Sequence, residues 1–175
     1  MSMPPPLVIK TADELGGLHS AERRAARRAR RESPLMRTVF ELFAGRGGPL
    51  AVSDIAAAGG EDAPTVARAL RELDDDDLVR VRNGVVDVAY PFAAAPTAFV
   101  VELTGGRERY ACCALDALGL APMFGQRVVV RSRCHATGEP LRFDVTPTGA
   151  GPEAGAIMVW FGERDDERAK VMDGL

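Results

Sequence analysis

The sequence predicts an α+β protein made of an N-terminal winged helix-turn-helix-like unit and a following core of short antiparallel strands with one central helix. Three observations lead to this prediction. Apolar residues recur at helical spacing in three short segments between positions 34 and 77. Two runs of β-forming residues follow at 78–81 and 85–88, around an Asn83-Gly84 turn signal. Beyond position 97, short alternating runs are separated by glycine and proline turns.

The boundaries of the first unit are marked by capping and helix-breaking residues. Ser33-Pro34 opens the first predicted helix, which ends within 45–49. The second helix covers 52–58 and stops at two glycines. Asp62 caps the third, and Pro64 lies near its first turn. Three short helices and a hairpin in this order are typical of a winged helix-turn-helix.

Residues 1–33 are predicted to form a flexible basic arm or helix. It contains six closely spaced arginines: Arg23, Arg24, Arg27, Arg28, Arg30 and Arg31. The arm has two interpretations, a contact with nucleic acid or another acidic partner, or a solvated helix, and the second is favoured because aromatic residues are not interleaved. In the third helix, Arg68 and Arg71 are followed by four aspartates at 74–77, which would repel phosphate. The pattern therefore argues against DNA binding and for a structural role.

The core is predicted from position 97 onward, after a linker at 91–96. A strand is expected at 98–103 and a turn at 104–106, and residues 107–110 lead into a helix over 110–118. Pro122 and Gly125 are expected to break the helical pattern. Strands at 127–132 and 141–146 form a hairpin, 156–161 is a final strand, and 163–175 is a charged tail.

Cys113 and Asp116 are the candidate site residues of this core. Three-residue spacing on a helix places both side chains on one face, whereas Cys112 points elsewhere. A carboxylate disfavours a neighbouring thiolate, so Asp116 is a poor activator of the thiol by charge alone. The pair is better suited to a soft electrophile or metal that sulfur binds while the carboxyl group carries a proton. The alternative is that the cysteines are small buried core residues.

Two segments in this order resemble the bacterial organomercurial (alkylmercury) lyases. The residues that carry the resemblance are Tyr110, Cys113, Asp116 and Leu118 in the first segment, and Gly125, Val130, Ser132, Cys134, Ala136, Thr137, Gly138 and Pro140 in the second. The resemblance is sharpest over 110–140. It implies an alkylmercury-lyase-like α/β core with short antiparallel strands at 97–175, after a winged-helix-like domain at 34–92.

The resemblance also implies roles for individual residues. Cys113 would take mercury as a thiolate, and Asp116 would deliver a proton to the departing carbon. Cys134 matches a cysteine of structural character, and His135 beside it is a solvated turn residue or a ligand. The family's second catalytic cysteine belongs to a later segment that 97–175 lacks, which suggests a shortened or variant member. Cys112 and Cys134 are the candidate substitutes, and Cys112 is the third candidate metal ligand.

Composition excludes several classes of protein. The net charge of −3 does not fit a polycation that binds nucleic acid, and the apolar runs are too short for a membrane span. Three cysteines, two of them adjacent, make a poor disulfide framework and indicate reduced thiols in a cytoplasmic protein.

Two functions follow from these observations. The first is an alkylmercury-lyase-like enzyme that cleaves a carbon–mercury bond, or a related soft-metal or carbon bond, by protonolysis. The second is a non-catalytic, metal- or effector-binding winged-helix protein with a regulatory role. The first requires no cofactor: mercuric ion or another soft metal is substrate or product, and the partners are a small organometallic molecule and external thiols. The sequence specifies no oligomeric state.

Overall fold

The structure is a computed structural model that describes residues 8, 11, 14 and 29–160. The helices in the continuous part are α1 (Pro34–Arg46), α2 (Val52–Gly59), α3 (Ala63–Asp75) and α4 (Ala114–Phe124). The strands are β1 (Leu50–Ala51), β2 (Val79–Arg82), β3 (Val85–Ala89), β4 (Phe92–Ala93), β5 (Phe99–Leu103), β6 (Arg107–Ala111), β7 (Val128–Arg133), β8 (Pro140–Thr146) and β9 (Gly149–Ala150). A 3₁₀ turn covers Pro152–Ala154.

The predicted winged-helix elements are confirmed, and local side-chain bonds explain their boundaries. Ser33 caps α1 by accepting a hydrogen bond from the Met36 N–H at 3.3 Å. Asp62 caps α3 in the same way, with 2.9 Å to the Thr65 N–H. The turn between β2 and β3 has positive φ values at both Asn83 and the following glycine, as a tight hairpin turn requires.

The strands form one antiparallel sheet that continues from the wing into the core. Its order is β1-β3-β4-β6-β5-β7-β8-β9, with β2 also paired to β3. The short strand β4 joins the two parts, because it pairs with β3 on one side and β6 on the other. The proposed division at 34–92 and 97–175 stays a prediction, but the sheet does not break there.

Four predictions about elements are wrong. The expected linker at 91–96 contains β4, and 107–111 is a strand, so the central helix begins at Ala114 and not at 110. Pro122 lies inside the last turns of α4, where its lost N–H removes a single bond, and only Gly125 ends the helix in the left-handed region. The part of 156–161 that the structure describes forms no strand, and Trp160 is exposed there.

Aromatic stacking connects the helical unit to the sheet. Phe43 of α1 and Phe92 of β4 are fully buried, and their rings stack with centroids 5.9 Å apart. Phe124 at the end of α4 packs against Phe92 with the two rings tilted and their centroids 6.1 Å apart. One hydrophobic core therefore contains residues of both predicted domains.

Arg109 of β6 makes a second connection between the sheet and α1. Its guanidinium donates hydrogen bonds to the carbonyl oxygens of Phe43, Ala44 and Gly45, at 2.6–2.8 Å. These carbonyls lie in the last turn of α1, where a helix provides few internal donors, although the Phe43 carbonyl also accepts from the Gly47 N–H at 2.9 Å. Burial lowers the pKa of Arg109, which stays a cation and complements the negative end of the helix dipole.

Two remaining predictions concern regions outside the continuous part. The charged tail at 163–175 and most of the basic arm lie outside the described residues.

Among the residues that are described, no helix is long and apolar enough to cross a membrane.

The first prediction tests the Arg109 connection. Arg109→Met should lower the free energy of unfolding by about 2 kcal/mol, because three helix carbonyls lose a charged donor in a half-buried position. Urea denaturation followed by circular dichroism measures the change. Arg107→Met is the matched control, because Arg107 lies on the same strand and is exposed. Equal losses in the two variants would contradict the role given to the carbonyl bonds.

Candidate functional site

The candidate site lies where the chain passes from β6 to α4. Ala111 is the last residue of the strand and Ala114 the first of the helix, so only Cys112 and Cys113 connect them. Cys113 is the N-cap of α4 and has an extended backbone, with φ −149°. It is therefore not a helical residue, and the prediction that both cysteines lie within the helix is wrong.

Cys113 and Asp116 nevertheless meet, because an N-cap and the third helical residue also face each other. The Cys113 thiol donates a hydrogen bond to Asp116 Oδ2, with Sγ and Oδ2 3.0 Å apart. The carboxylate in turn accepts from the Cys113 backbone N–H. This is one half of a capping box, in which the carboxylate of the third helical residue accepts from the N-cap N–H, while the thiol bonds to that carboxylate.

The environment keeps the Cys113 thiol protonated. Burial and then the hydrogen bond and charge of Asp116 raise the pKa of Cys113 to about 11. The sulfur makes no capping bond of ordinary geometry, but the nearby N–H groups of Leu115 and Asp116 partly offset the rise. Burial also raises the pKa of Asp116, while the Cys113 thiol, Arg31 and the Cys113 N–H oppose that rise. The Cys113 thiol is therefore protonated at neutral pH, and it donates its hydrogen bond to a carboxyl group whose own pKa is raised.

Cys112 turns away from this pair. It is 6% exposed and belongs to a separate small cluster with Val88, against which Tyr90 and Ala93 pack. Burial raises the pKa of Cys112 far above its ordinary value, and the charges of Asp116 and Cys113 raise it further. The two cysteine side chains point in different directions, as the sequence analysis expected. The reason differs, because that expectation used helical geometry and neither cysteine lies in a helix.

Cys134 and His135 lie in the turn between β7 and β8. The backbone of Cys134 bonds to Glu139 and Gly138 at 2.8 Å. Hydrogen bonding from the Thr137 side chain and from turn N–H groups lowers the pKa of Cys134, so it is the only one of the three described thiols whose pKa is lowered. His135 is exposed, as expected for a solvated turn residue.

Tyr90 is a neighbour of the site that the sequence did not single out. Its hydroxyl oxygen is enclosed and lacks a hydrogen-bond partner among the described residues. Cys112, Asp116 and Cys113 all raise its pKa by their charge, after the larger effects of burial and Asp77. No local motif identifies such a residue, because the proximity comes from strand pairing.

The basic arm also reaches this region. Arg30 forms an ion pair with Asp76 at 2.6 Å, and Arg31 lies near enough to Asp116 to lower its pKa. Asp76 of the acidic run at 74–77 is thus paired with an arginine of the same chain. This ion pair offsets part of the unfavourable effect of acidic residues at the C-terminal end of α3, which oppose the helix dipole.

The site is a pair of side chains and not a metal cage. Within the described part of the chain, no group of three or more His, Cys, Asp or Glu side chains converges to hold a metal ion. Cys113 and Asp116 are brought together, and Cys112 and Cys134 do not join them in such a group.

Fold and site together define an α+β protein with a helix-turn-helix unit and a thiol–carboxyl pair at the start of a helix. Two family models match the chain: alkylmercury lyase over residues 92–175 and the IclR helix-turn-helix domain over 38–82. The chain belongs to the alkylmercury lyase family.

Individual relatives agree with this assignment. The chain is 32% identical over 113 residues to an alkylmercury lyase of Bacillus cereus, which covers 65% of this chain and 50% of the relative. It is 33% identical over 128 residues to one of Streptomyces lividans, covering 71% and 57%. The chain thus spans about half the length of the curated relatives it matches. A crystal structure of the mercury-bound form of MerB2 superposes with a TM-score of 0.55 at 25% identity, covering 79% of this chain and 63% of that one.

The second prediction concerns ionisation of the Cys113 thiol. In a Cys112→Ser/Cys134→Ser protein, alkylation by iodoacetamide should be slow at pH 8 and should level off only near pH 11, where the thiolate forms. Asp116→Asn should lower the apparent pKa by about one unit, because a neutral amide no longer opposes the thiolate. The measurement is the alkylation rate against pH. Glu61→Gln, which removes an exposed carboxylate elsewhere, should leave the profile unchanged.

Proposed function

We propose that this protein cleaves carbon–mercury bonds by protonolysis at the Cys113–Asp116 pair. The observation that supports the proposal best is the 3.0 Å contact between the thiol and the carboxylate. A thiolate is the natural ligand for a soft ion such as mercury, whereas a carboxylate oxygen is hard and binds it poorly. The sulfur is therefore suited to hold the metal and the carboxyl group to carry the proton.

The first step loads the organomercurial. As the Cys113 sulfur bonds to mercury, its S–H bond breaks and the leaving anion departs from the metal. The proton passes to Asp116, which already accepts the hydrogen bond from that thiol. The raised pKa of Asp116 favours this, because burial makes the neutral acid easier to form than at the surface.

The second step breaks the carbon–mercury bond. A second sulfur binds the metal and increases the electron density on the carbon, which takes the proton from Asp116 and leaves as hydrocarbon. Mercury stays on two sulfurs and passes to external thiols, whose protons restore Cys113. No resident cofactor enters these steps, and the free cysteines suit a reducing cytoplasm.

An external thiol is the best candidate for the second sulfur. Cys112 is buried in its own cluster. Cys134 follows β7 at the same end of the sheet as Cys113, but β5 separates β7 from β6, and two strand spacings amount to roughly 10 Å. Cys134 would need the β7–β8 turn to move before it could share a metal with Cys113.

The alternative function is retention of soft metals or organomercurials without turnover. This alternative is favoured by the positions of Cys112 and Cys134, neither of which lies where it could bind the same metal as Cys113. A single thiolate can hold an organomercurial but does not activate the carbon. The two functions differ in a single observable, the release of hydrocarbon when external thiol is present.

The third prediction separates binding from cleavage. With methylmercury chloride and excess monothiol, the protein should release methane and mercuric ion. Without added thiol, a Cys112→Ser/Cys134→Ser form, which removes the other two free thiols, should bind one equivalent at Cys113 with slow or absent release. Adding Cys113→Ser to that form should abolish both binding and release, because oxygen is a poor ligand for mercury. Asp116→Asn should retain binding and lower the release rate at least about 100-fold, the scale of a lost general acid. Gas chromatography of the headspace and mercury analysis measure the two.

Two further variants test the second sulfur in the same assay. Cys112→Ser and Cys134→Ser should leave thiol-supported release within about twofold of the parent, as expected if neither provides the sulfur. A large loss in either would assign that role to the protein's own cysteine. Unchanged binding when Cys113→Ser is added to the Cys112→Ser/Cys134→Ser form would remove Cys113 from the site, and the proposed function would fail.

The fourth prediction concerns nucleic acid. We infer that the helix-turn-helix unit packs against the sheet and does not read DNA, because the aspartates at 74–77, at the C-terminal end of α3 and just after it, would repel phosphates. Fluorescence anisotropy with a mixed-sequence duplex should detect only weak binding that vanishes at about 0.2 M salt. Tight binding that Arg68→Ala and Arg71→Ala abolish would overturn this inference, since both side chains are exposed on α3.

A further inference from the structure

One side of α4 is an apolar surface that faces away from the core. Helical spacing places five of its residues next to one another, and we call them the apolar stripe: Leu115, Leu118, Gly119, Pro122 and Met123. Leu115 and Met123 are each 48% exposed, and Pro122 is exposed as well. The opposite side of the helix is buried in the hydrophobic core. An α-helix that is apolar on both sides is typical of one that is covered all round.

Gly119 lies in the middle of the stripe, and the fold of the chain itself does not require a glycine there. The residue is helical, so it does not use the left-handed region of backbone conformation. Apart from its neighbours in the helix, no atom of the described chain lies within 4 Å of the position that a Cβ would take. A glycine inside a helix is less stable than an alanine, so this one indicates a close approach from outside the chain.

The stripe is symmetric about Gly119. Leu115 lies four residues before it and Met123 four residues after it, so the three form a single ridge of the helix surface. When two such helices cross antiparallel, Leu115 of each copy faces Met123 of the other and the two glycines meet at the crossing point. The same surface then serves both copies, as a two-fold interface requires.

The charge of the stripe also fits a second copy. Asp116 is the only polar side chain of α4, and it lies at the margin of the stripe, so two copies meet there without like charges in contact. The tail at 163–175 is the other segment that could cover this surface, but it is mostly charged. Burying those charges against apolar side chains would be unfavourable.

We propose that α4 is an interface between two copies of this chain, which pack antiparallel about a two-fold axis at Gly119. A standard interface has roughly 20–30 residues a side, far more than the stripe provides, so the dimer is weak, with a dissociation constant on the order of 0.1 mM. The interface is independent of the chemistry at Cys113, because it uses neither the thiol nor a bound metal.

The fifth prediction tests the antiparallel contact by exchanging charges in the full chain. Leu115→Asp lies in the first turn of α4 and Met123→Lys in the last, where the helix dipole favours these charges, so both variants keep the helix. Each variant alone should raise the dissociation constant at least about tenfold, because the new charge is buried against an apolar partner. An equimolar mixture should recover the dimer, because the two new charges face each other with opposite sign.

Sedimentation velocity between about 10 μM and 1 mM protein, a range that includes the expected dissociation constant, measures the pairing. A reducing agent prevents disulfides between copies. Met158→Lys is the control for an added charge, since Met158 is exposed but lies outside α4, and it should leave the dissociation constant unchanged.

Gly119 provides a second measurement that separates folding from pairing. Gly119→Ala should raise the urea midpoint of the dilute protein, because alanine stabilises the helix, and should raise the dissociation constant several-fold, because the methyl group separates the two helices. Gly45→Ala is the matched control, since Gly45 is also a helical glycine with nothing within 4 Å of its Cβ position. It should raise the urea midpoint and leave the dissociation constant unchanged.

Three outcomes would overturn the inference. The first is a parent protein that stays monomeric at about 1 mM. The second is a dimer that both single-charge variants retain, which would place the contact elsewhere on the surface. The third is a mixture of the two variants that stays monomeric, which would reject the antiparallel pairing. Carbon–mercury cleavage does not enter any of these measurements, so its success or failure leaves them unaffected.

Discussion

The site depends on how little chain separates β6 from α4. With only two residues between the last strand residue and the first helical one, one side chain continues the alternation of the strand and the other takes the N-cap position. Cys112 is therefore directed into the cluster with Val88, and Cys113 is directed over the first turn of the helix. A longer connection would no longer fix the directions of the two cysteine side chains, and the Cys113 thiol would no longer be held against the Asp116 carboxylate.

The position of β6 is in turn fixed by the helical unit. The carbonyls that end α1 bind the guanidinium of Arg109, two residues before the end of the strand, and Phe43 of α1 stacks on Phe92 of the strand beside it. The winged-helix unit thus acts as a support for the sheet. This arrangement gives that unit a physical role that does not require nucleic acid, and it agrees with the ion pair that joins the arm to the aspartates after α3.

Sequence signals were reliable where structure is decided locally. Caps at Ser33 and Asp62, the Asn83 turn and the alternating pair β7–β8 each depend on residues a few positions apart. The segment before α4 was assigned to the helix because its composition favours helix, but pairing with β4 and β5 makes it a strand. The Cys113–Asp116 contact was predicted from helix spacing, and it forms although Cys113 is not helical, because an N-cap residue also faces the third residue of its helix. Tyr90 could not be predicted, since long-range pairing brings it to the site.

Because Cys113 is the N-cap of α4, the residue that binds a soft metal best at this position is not the residue that stabilises the helix best. Serine is among the residues that cap helices best, whereas the thiol here makes no capping bond of ordinary geometry. Exchanging sulfur for oxygen should strengthen α4, by about 0.5–1 kcal/mol, while destroying the affinity for soft metals. Selection for stability alone would therefore favour serine over cysteine at position 113. A variant of the protein selected only for thermal stability would be expected to lose this thiol, and its affinity for soft metals with it.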